Sequence, residues 1–119
     1  MNQTQLLARQ LQRLEEQLNS SGGRGVKFHQ QAVKQGNMSF TGGNGRIWIS
    51  PAPGGFDVAL SGKSLRVEME SVMNKLCGKI CDGHKQTNRK IGKLDAPYWR
   101  VADFKLVESA VTHYAKTRP

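Results

Sequence analysis

The spacing of hydrophobic residues along the chain predicts three helices. Near the N-terminus, four leucines follow one another at intervals of four, three and four residues, which places them on one stripe of a helix over residues 3–19. Residues 71–82 show a second helical pattern, and Gly83 follows it as a stop signal. A third helix is predicted from Asp103, a suitable N-cap, to about Lys116.

Between the first two helices, residues 38–70 alternate between hydrophobic and polar positions, which is typical of an antiparallel sheet. Breaks rich in glycine and proline divide this segment into four short strands, and residues 61–64 are interpreted as the last hairpin turn. Residues 65–70 are ambiguous because a helix starting at Ser64 would align their hydrophobic residues equally well; the strand is preferred. The second face of the predicted sheet then carries Ser39, Arg46, Trp48, Asp57, Ala59, Arg66, Glu68 and Glu70.

These elements predict an α+β fold with an N-terminal helix, a small curled antiparallel sheet of three to five strands and two C-terminal helices. The 119 residues suit a single domain, because two separate cores would each be too small to be stable. Leu, Ile, Val and Phe account for only 26 of the 119 residues, which is close to the level that favours disorder. We therefore expect flexible basic loops at about 20–37 and 83–97; for residues 20–37, the alternative is a first strand followed by a turn.

The leucine stripe of the first helix has two interpretations. It packs against the core of its own domain, or it forms the seam of a homodimer. Two heptads are too few for an independent coiled coil, so packing within the domain is preferred. The stripe consists of Leu7, Leu11, Leu14 and Leu18.

The strongest functional indication is the net charge. The chain has 18 Lys and Arg against 9 Asp and Glu, a formal net charge of +9 and a pI near 10.0. Residues 17–56 contain four cations and no anion, and residues 79–100 contain six cations and two anions, so these segments carry +8 of the +9. Such a charge favours a polyanionic partner, either DNA, RNA or an acidic protein surface, although charged loops often serve only solubility.

The cations of these two segments are the candidates for binding phosphates. Trp48 lies beside Arg46 and shares its facing, so its ring is a candidate surface for base stacking; the alternative is that the N-terminal helix covers it. Tyr98 and Trp99 adjoin Arg100, and Trp99 is interpreted as a core residue. The candidate nucleic-acid-binding residues are Lys85, Arg89, Lys90, Lys93, Arg100, Arg24, Lys27, Arg46 and Trp48.

A metal site is the first of the weaker hypotheses. Cys77, Cys81 and His84 are spaced so that a helix would bring them to one face, where thiolates and an imidazole suit Zn²⁺. The spacing picks out no fourth ligand, and free cysteines are commonly buried. The cysteines are therefore interpreted as core residues, and no metal or cofactor is expected.

Two further motifs suggest chemistry without specifying it. Residues 59–64 resemble the end of a phosphate-binding P-loop, but Asp57 stands where that loop needs glycine. Carboxylates at Asp57, Glu68 and Glu70 would share a sheet face and suit Mg²⁺ in a nuclease, and the histidines would suit acid–base cleavage. Neither set has a recognisable nuclease spacing. The three histidines are His29, His84 and His113.

The leading functional hypothesis is a non-enzymatic, nucleic-acid-binding accessory protein that uses basic loops on a small α+β scaffold. The first alternative is a small phage- or mobile-element-type protein that binds a larger host protein and inhibits or recruits it. The second alternative is a small nuclease. A cytoplasmic location is expected, because no apolar run approaches the length of a membrane span and the N-terminus lacks the apolar stretch of a signal peptide.

Overall fold

The computed structural model describes residues 2–20, 25–30, 38–86 and 94–117. This part of the chain contains three helices and six strands. The helices are α1 (Gln3–Ser20), α2 (Lys63–Cys77) and α3 (Phe104–Ala115). The strands are β1 (Lys27–Gln30), β2 (Met38–Thr41), β3 (Arg46–Ala52), β4 (Gly55–Ser61), β5 (Gly83–Gln86) and β6 (Leu94–Val101).

The six strands form one open antiparallel sheet in the order β1-β2-β3-β4-β6-β5. The predicted α+β class, with an N-terminal helix and two C-terminal helices, is confirmed. The sheet has six strands where the sequence predicted three to five, because the basic segments contribute β1, β5 and β6 in addition to the three strands β2, β3 and β4. Edge strands face solvent on more sides than central strands, so β1 and β5 are polar and lack a clear hydrophobic alternation.

One face of the sheet, the apolar face, carries the core. Its side chains pack against the buried residues of all three helices. The alternation predicted for residues 38–60 is therefore confirmed, and Phe28 of β1 joins it by stacking on Phe40 at 5.3 Å between ring centroids. The apolar face consists of Phe28, Met38, Phe40, Ile47, Ile49, Phe56, Val58, Leu60, Trp99 and Val101.

The leucine stripe of α1 also lies in this core. Leu7, Leu11 and Leu14 are buried, and Leu18 is partly buried against the same cluster. The structure therefore shows packing within the domain and gives no support for the homodimer seam, because the sheet already covers the hydrophobic surface of these leucines. Among the described residues, no helix is long and apolar enough to cross a membrane.

The strand predicted over residues 65–70 is wrong, and so is the hairpin turn at 61–64. The chain passes from β4 directly into α2 through Gly62, whose φ of +107° suits glycine. A six-residue window fits both periods, but the helical stripe of Leu65, Met69 and Met73 continues into the core over a longer stretch. Arg66, Glu68 and Glu70 are therefore helical and do not extend the second face of the sheet.

Local capping follows the sequence at both outer helices. The Asn2 side chain accepts a hydrogen bond of 2.8 Å from the Gln5 amide at the start of α1. Asp103 accepts one of 2.9 Å from the Lys105 amide at the start of α3. Both side chains satisfy amides that lack a partner within the helix, which fixes where each helix begins.

The C-terminal end of α3 secures the β2–β3 hairpin. The hydroxyl of Tyr114 accepts from the Gly43 amide at 3.2 Å and donates to the Gly45 carbonyl at 2.7 Å. The Thr117 hydroxyl accepts from the Asn44 amide at 2.8 Å. These bonds tie the turn between two central strands to the helix layer and hold β3 in place.

Candidate nucleic-acid interface

The strand side chains that point away from the core form a second surface, the polar face. Strand register aligns them in rows across the sheet, and the central row runs from His29 through Ser39, Trp48 and Ala59 to Tyr98. The described members of the polar face are Lys27, His29, Ser39, Thr41, Arg46, Trp48, Ser50, Asp57, Ala59, Ser61, Lys85, Ala96, Tyr98 and Arg100.

Trp48 lies near the middle of the polar face and is half-buried. Its indole nitrogen donates to the Ser61 hydroxyl at 2.9 Å, and that hydroxyl donates to the Arg46 carbonyl at 3.3 Å. The Arg46 guanidinium lies 5.2 Å from the ring centroid and donates to Ser39 at 3.4 Å. The ring is therefore held in one orientation with a cation beside it, an arrangement that strengthens aromatic recognition.

The alternative in which the N-terminal helix covers Trp48 is wrong. The buried leucines of α1 belong to the core cluster on the apolar face, and Trp48 points the other way. Trp99 behaves in the opposite manner, because it is fully buried and its indole nitrogen donates to Asn74 at 3.1 Å and to the Lys79 carbonyl at 3.3 Å. The interpretation of Trp99 as a core residue is confirmed.

A second ring-and-cation group lies around Tyr98, one strand beyond Ala59 on the central row. The Lys85 ammonium is 5.1 Å from the Tyr98 ring centroid, and the Arg100 guanidinium is 5.9 Å from it. The polar face thus repeats the same pairing of an aromatic ring with cations on β3 and on β6.

Asp57 anchors this second group. Asp57 is 3% exposed, and its carboxylate forms ion pairs with Lys85 at 2.8 Å and with Arg100 at 2.9 Å. A second hydrogen bond of 3.2 Å joins Arg100 to the other carboxylate oxygen. Lys85 also donates to the Ser50 hydroxyl at 3.2 Å. One buried anion therefore orients two cations that come from different strands.

The Asp57 carboxylate stays ionised in this setting. Burial alone raises the pKa of Asp57, but the hydrogen bonds and charges of Arg100 and Lys85 outweigh it, so the pKa lies below its ordinary value. The polar face retains a positive excess, because Asp57 is accompanied by four cations on the same surface. These are Lys27, Arg46, Lys85 and Arg100.

His29 adds a neutral hydrogen-bonding group to the β1 edge. Its Nε2 lies 2.7 Å from the Thr41 hydroxyl. Partial burial, followed by the charges of Arg46 and Lys27, lowers the pKa of His29 below its ordinary value, although Glu15 opposes this. The imidazole is therefore predominantly neutral at pH 7 and contributes polarity without adding charge.

Five of the nine predicted binding residues lie in the described part of the chain, and all five are on the polar face. They come from four different strands that are distant in sequence. The remaining four, Arg24, Arg89, Lys90 and Lys93, lie outside the described residues. The five are Lys27, Arg46, Trp48, Lys85 and Arg100.

Sequence reasoning missed the residues that orient these side chains. The sequence predicts Asp57 as a metal ligand, whereas the structure pairs it with Lys85 and Arg100. The supporting hydroxyls of Ser50 and Ser61 were not singled out. Each of these three residues is a polar residue at an outward position of a strand. The sequence shows that much, but it does not show which side chains of the neighbouring strands each one contacts.

The predicted metal and nuclease groups do not assemble. Glu68 and Glu70 are exposed on α2, whereas Asp57 is buried in β4. Cys77 and Cys81 are partly buried against the core, and burial raises the pKa of the Cys77 thiol. Within the described ranges, no three His, Cys, Asp or Glu side chains lie close enough together to hold a metal ion.

Comparison of the chain with protein-family models, with curated proteins and with solved structures found no significant match in any of the three.

Proposed function

We propose that this protein binds nucleic acid, without catalysing a reaction, through the polar face of its sheet. The observation that carries the proposal is the convergence of Lys27, Arg46, Lys85 and Arg100 on one surface, with Arg46 at the half-buried ring of Trp48 and with Lys85 and Arg100 at the ring of Tyr98. The two basic segments of the sequence are far apart along the chain, and the sheet brings these four cations to one face.

Phosphate binding accounts for the cations. Lysine and arginine neutralise phosphates and release counterions, so the affinity falls steeply as salt rises. Serine, threonine and histidine side chains on the same face can donate hydrogen bonds to phosphates and sugars or read base edges. Arg89, Lys90 and Lys93 follow β5 and precede β6 in sequence, and we include them as further phosphate contacts.

The proposal is tested by measuring the affinity for fluorescein-labelled DNA and RNA oligonucleotides by anisotropy, from about 50 to about 200 mM salt. The double variant Lys27→Glu/Arg46→Glu reverses two charges on the polar face. Its matched control, Lys75→Glu/Lys105→Glu, reverses two exposed cations on the helices and leaves the polar face intact.

We expect the polar-face variant to lose most of its affinity and to show a shallower dependence on salt, while the control binds almost as the wild type does. An equal loss in both variants would mean that net charge, and not this face, governs binding. A wild-type protein that binds no oligonucleotide at low salt would overturn the proposal and leave an acidic protein surface as the partner to test.

A further inference from the structure

We infer that the polar face takes a single strand of nucleic acid with one base stacked on Trp48, and that it discriminates against duplex. The inference rests on the proposed function and specifies the class of nucleic acid that the same site would bind. Three observations carry it: the fixation of the Trp48 ring, the position of a cation at each aromatic ring, and the spacing of the two rings.

The Trp48 ring is a prepared stacking surface. Ser61 binds its indole nitrogen and Arg46 lies over the ring, so little side-chain freedom remains to be lost when a base arrives. The ring is half-buried and lies outside the core cluster, so it is not needed to fill the hydrophobic interior. An aromatic ring with an arginine at its face is a combination on which bases stack in single-strand-binding proteins.

Both aromatic rings have cations within 6 Å of their centroids: Arg46 at Trp48, and Lys85 and Arg100 at Tyr98. A single strand presents an open base and its phosphate side by side, which matches a ring with a cation next to it. A duplex presents phosphates outside and keeps its bases stacked inside, so a ring fixed on a sheet cannot reach a base face without extruding it.

The spacing of the two rings also favours an unpaired strand. Trp48 and Tyr98 share a row with only Ala59 between them, so their backbones are two strand spacings apart, or about 9–10 Å. Consecutive nucleotides in B-form DNA rise by only about 3.4 Å. Two consecutive bases held at the two rings therefore cannot also stack on each other, whereas an extended single strand can place them apart.

The inference is tested with three probes of equal length: an oligothymidine of about 15 nucleotides, the same backbone with abasic sites, and the thymidine strand paired with its complement. This length covers the site sizes of about 4–16 nucleotides typical of single-strand binders. The variants are Trp48→Leu, which keeps an apolar side chain but removes the stacking surface, and Trp48→Phe, which keeps an aromatic ring. Circular dichroism and thermal unfolding establish that both variants fold.

We expect the wild type to bind oligothymidine more tightly than either the duplex or the abasic strand. Trp48→Leu should weaken oligothymidine binding by roughly 5- to 150-fold, which corresponds to the loss of about 1–3 kcal/mol for one stacked base, and leave the abasic strand unaffected. Trp48→Phe should retain most of the affinity. Oligothymidine should quench the tryptophan fluorescence of the wild type but not that of the Trp48→Phe variant, because the remaining tryptophan, Trp99, is buried.

Two results would overturn the inference while leaving the proposed function standing: duplex bound as tightly as the single strand, or equal affinities of Trp48→Leu and wild type for oligothymidine. Failure of the wild type to bind these three probes and the DNA and RNA oligonucleotides of the first test would instead overturn the proposed function itself. The salt dependence separates the two contributions further, because loss of stacking leaves the number of phosphate contacts unchanged.

Discussion

The two faces of the sheet share six strands but are stabilised differently. The apolar face is covered by three helices, and Trp99 is among its largest fully buried side chains. The polar face is organised by cations that lie beside half-buried rings and by one buried carboxylate, Asp57. The first face holds the fold together, whereas the polar contacts of the second fix the orientation of its aromatic and cationic side chains.

The difference between the two faces is tested most strongly by truncating one tryptophan on each face. Trp99→Ala should lower the free energy of unfolding by about 3–5 kcal/mol, because it removes a buried aromatic side chain and leaves a cavity. Trp48→Ala should cost clearly less, since its ring is half-buried and lies outside the core cluster. Urea unfolding followed by circular dichroism measures both values. Equal losses would show that the polar face is also a structural core.

The next largest effect is expected at the buried carboxylate. Asp57→Asn should lower the free energy of unfolding by roughly 1–3 kcal/mol, because charge-assisted hydrogen bonds to a buried acceptor are lost. The same change should weaken oligonucleotide binding, because Lys85 and Arg100 lose the buried anion that orients them on the polar face. Stability and affinity would then fall together. Tighter binding by the variant would show that Asp57 acts by neutralising the two cations and does not hold them in the binding geometry.

A smaller effect is expected from pH, through the same carboxylate. The folded-state pKa of Asp57 lies below its unfolded value of about 3.9, so its contribution to stability is present above about pH 4 and is lost as pH falls through the folded-state pKa. The pKa of Asp82 is also lowered, chiefly by a hydrogen bond from the Arg100 amide, and this contribution is common to wild type and Asp57→Asn. The stability difference between the two proteins should therefore shrink below about pH 4. A difference that stays constant down to pH 2 would contradict the assignment.

The smallest effect is expected on the outer surface of α2. Val67 is 81% exposed there, so Val67→Ser should change the free energy of unfolding by less than about 0.5 kcal/mol and leave oligonucleotide affinity unchanged. The measurement uses the same urea titration and anisotropy assay as above. A loss of affinity in this variant would place part of the binding surface on the helix layer, which would weaken the contrast between the two faces.

Much of the fold was readable from local sequence. The alternation over residues 38–60 gave the facing of β2, β3 and β4, and the leucine spacing gave the buried stripe of α1. Asp103 was identified as a helix cap from its residue type and position. Such features depend on neighbours within a few positions, so periodicity and capping chemistry are sufficient to predict them.

The predictions of secondary structure were wrong where the local pattern of hydrophobic residues fits two structures or shows no periodicity. Residues 65–70 fit a strand and a helix equally well, and only packing of Met69 and Met73 against the sheet decides for the helix. The strands β1 and β5 lie at edges, where hydrophobic alternation is not required, so the sequence predicts a loop at β5 and leaves a loop and a strand open at β1.

For the candidate site, the sequence alone identifies two basic segments and a tryptophan beside an arginine at outward strand positions. Whether these side chains lie on one surface depends on the tertiary fold. The pairing of β6 with β4, and of β5 with β6, carries Lys85 and Arg100 to Asp57 and brings Tyr98 onto the row of Trp48. The physical reason is that periodicity reports which way a side chain points, whereas the order of strands depends on contacts between residues far apart in the chain.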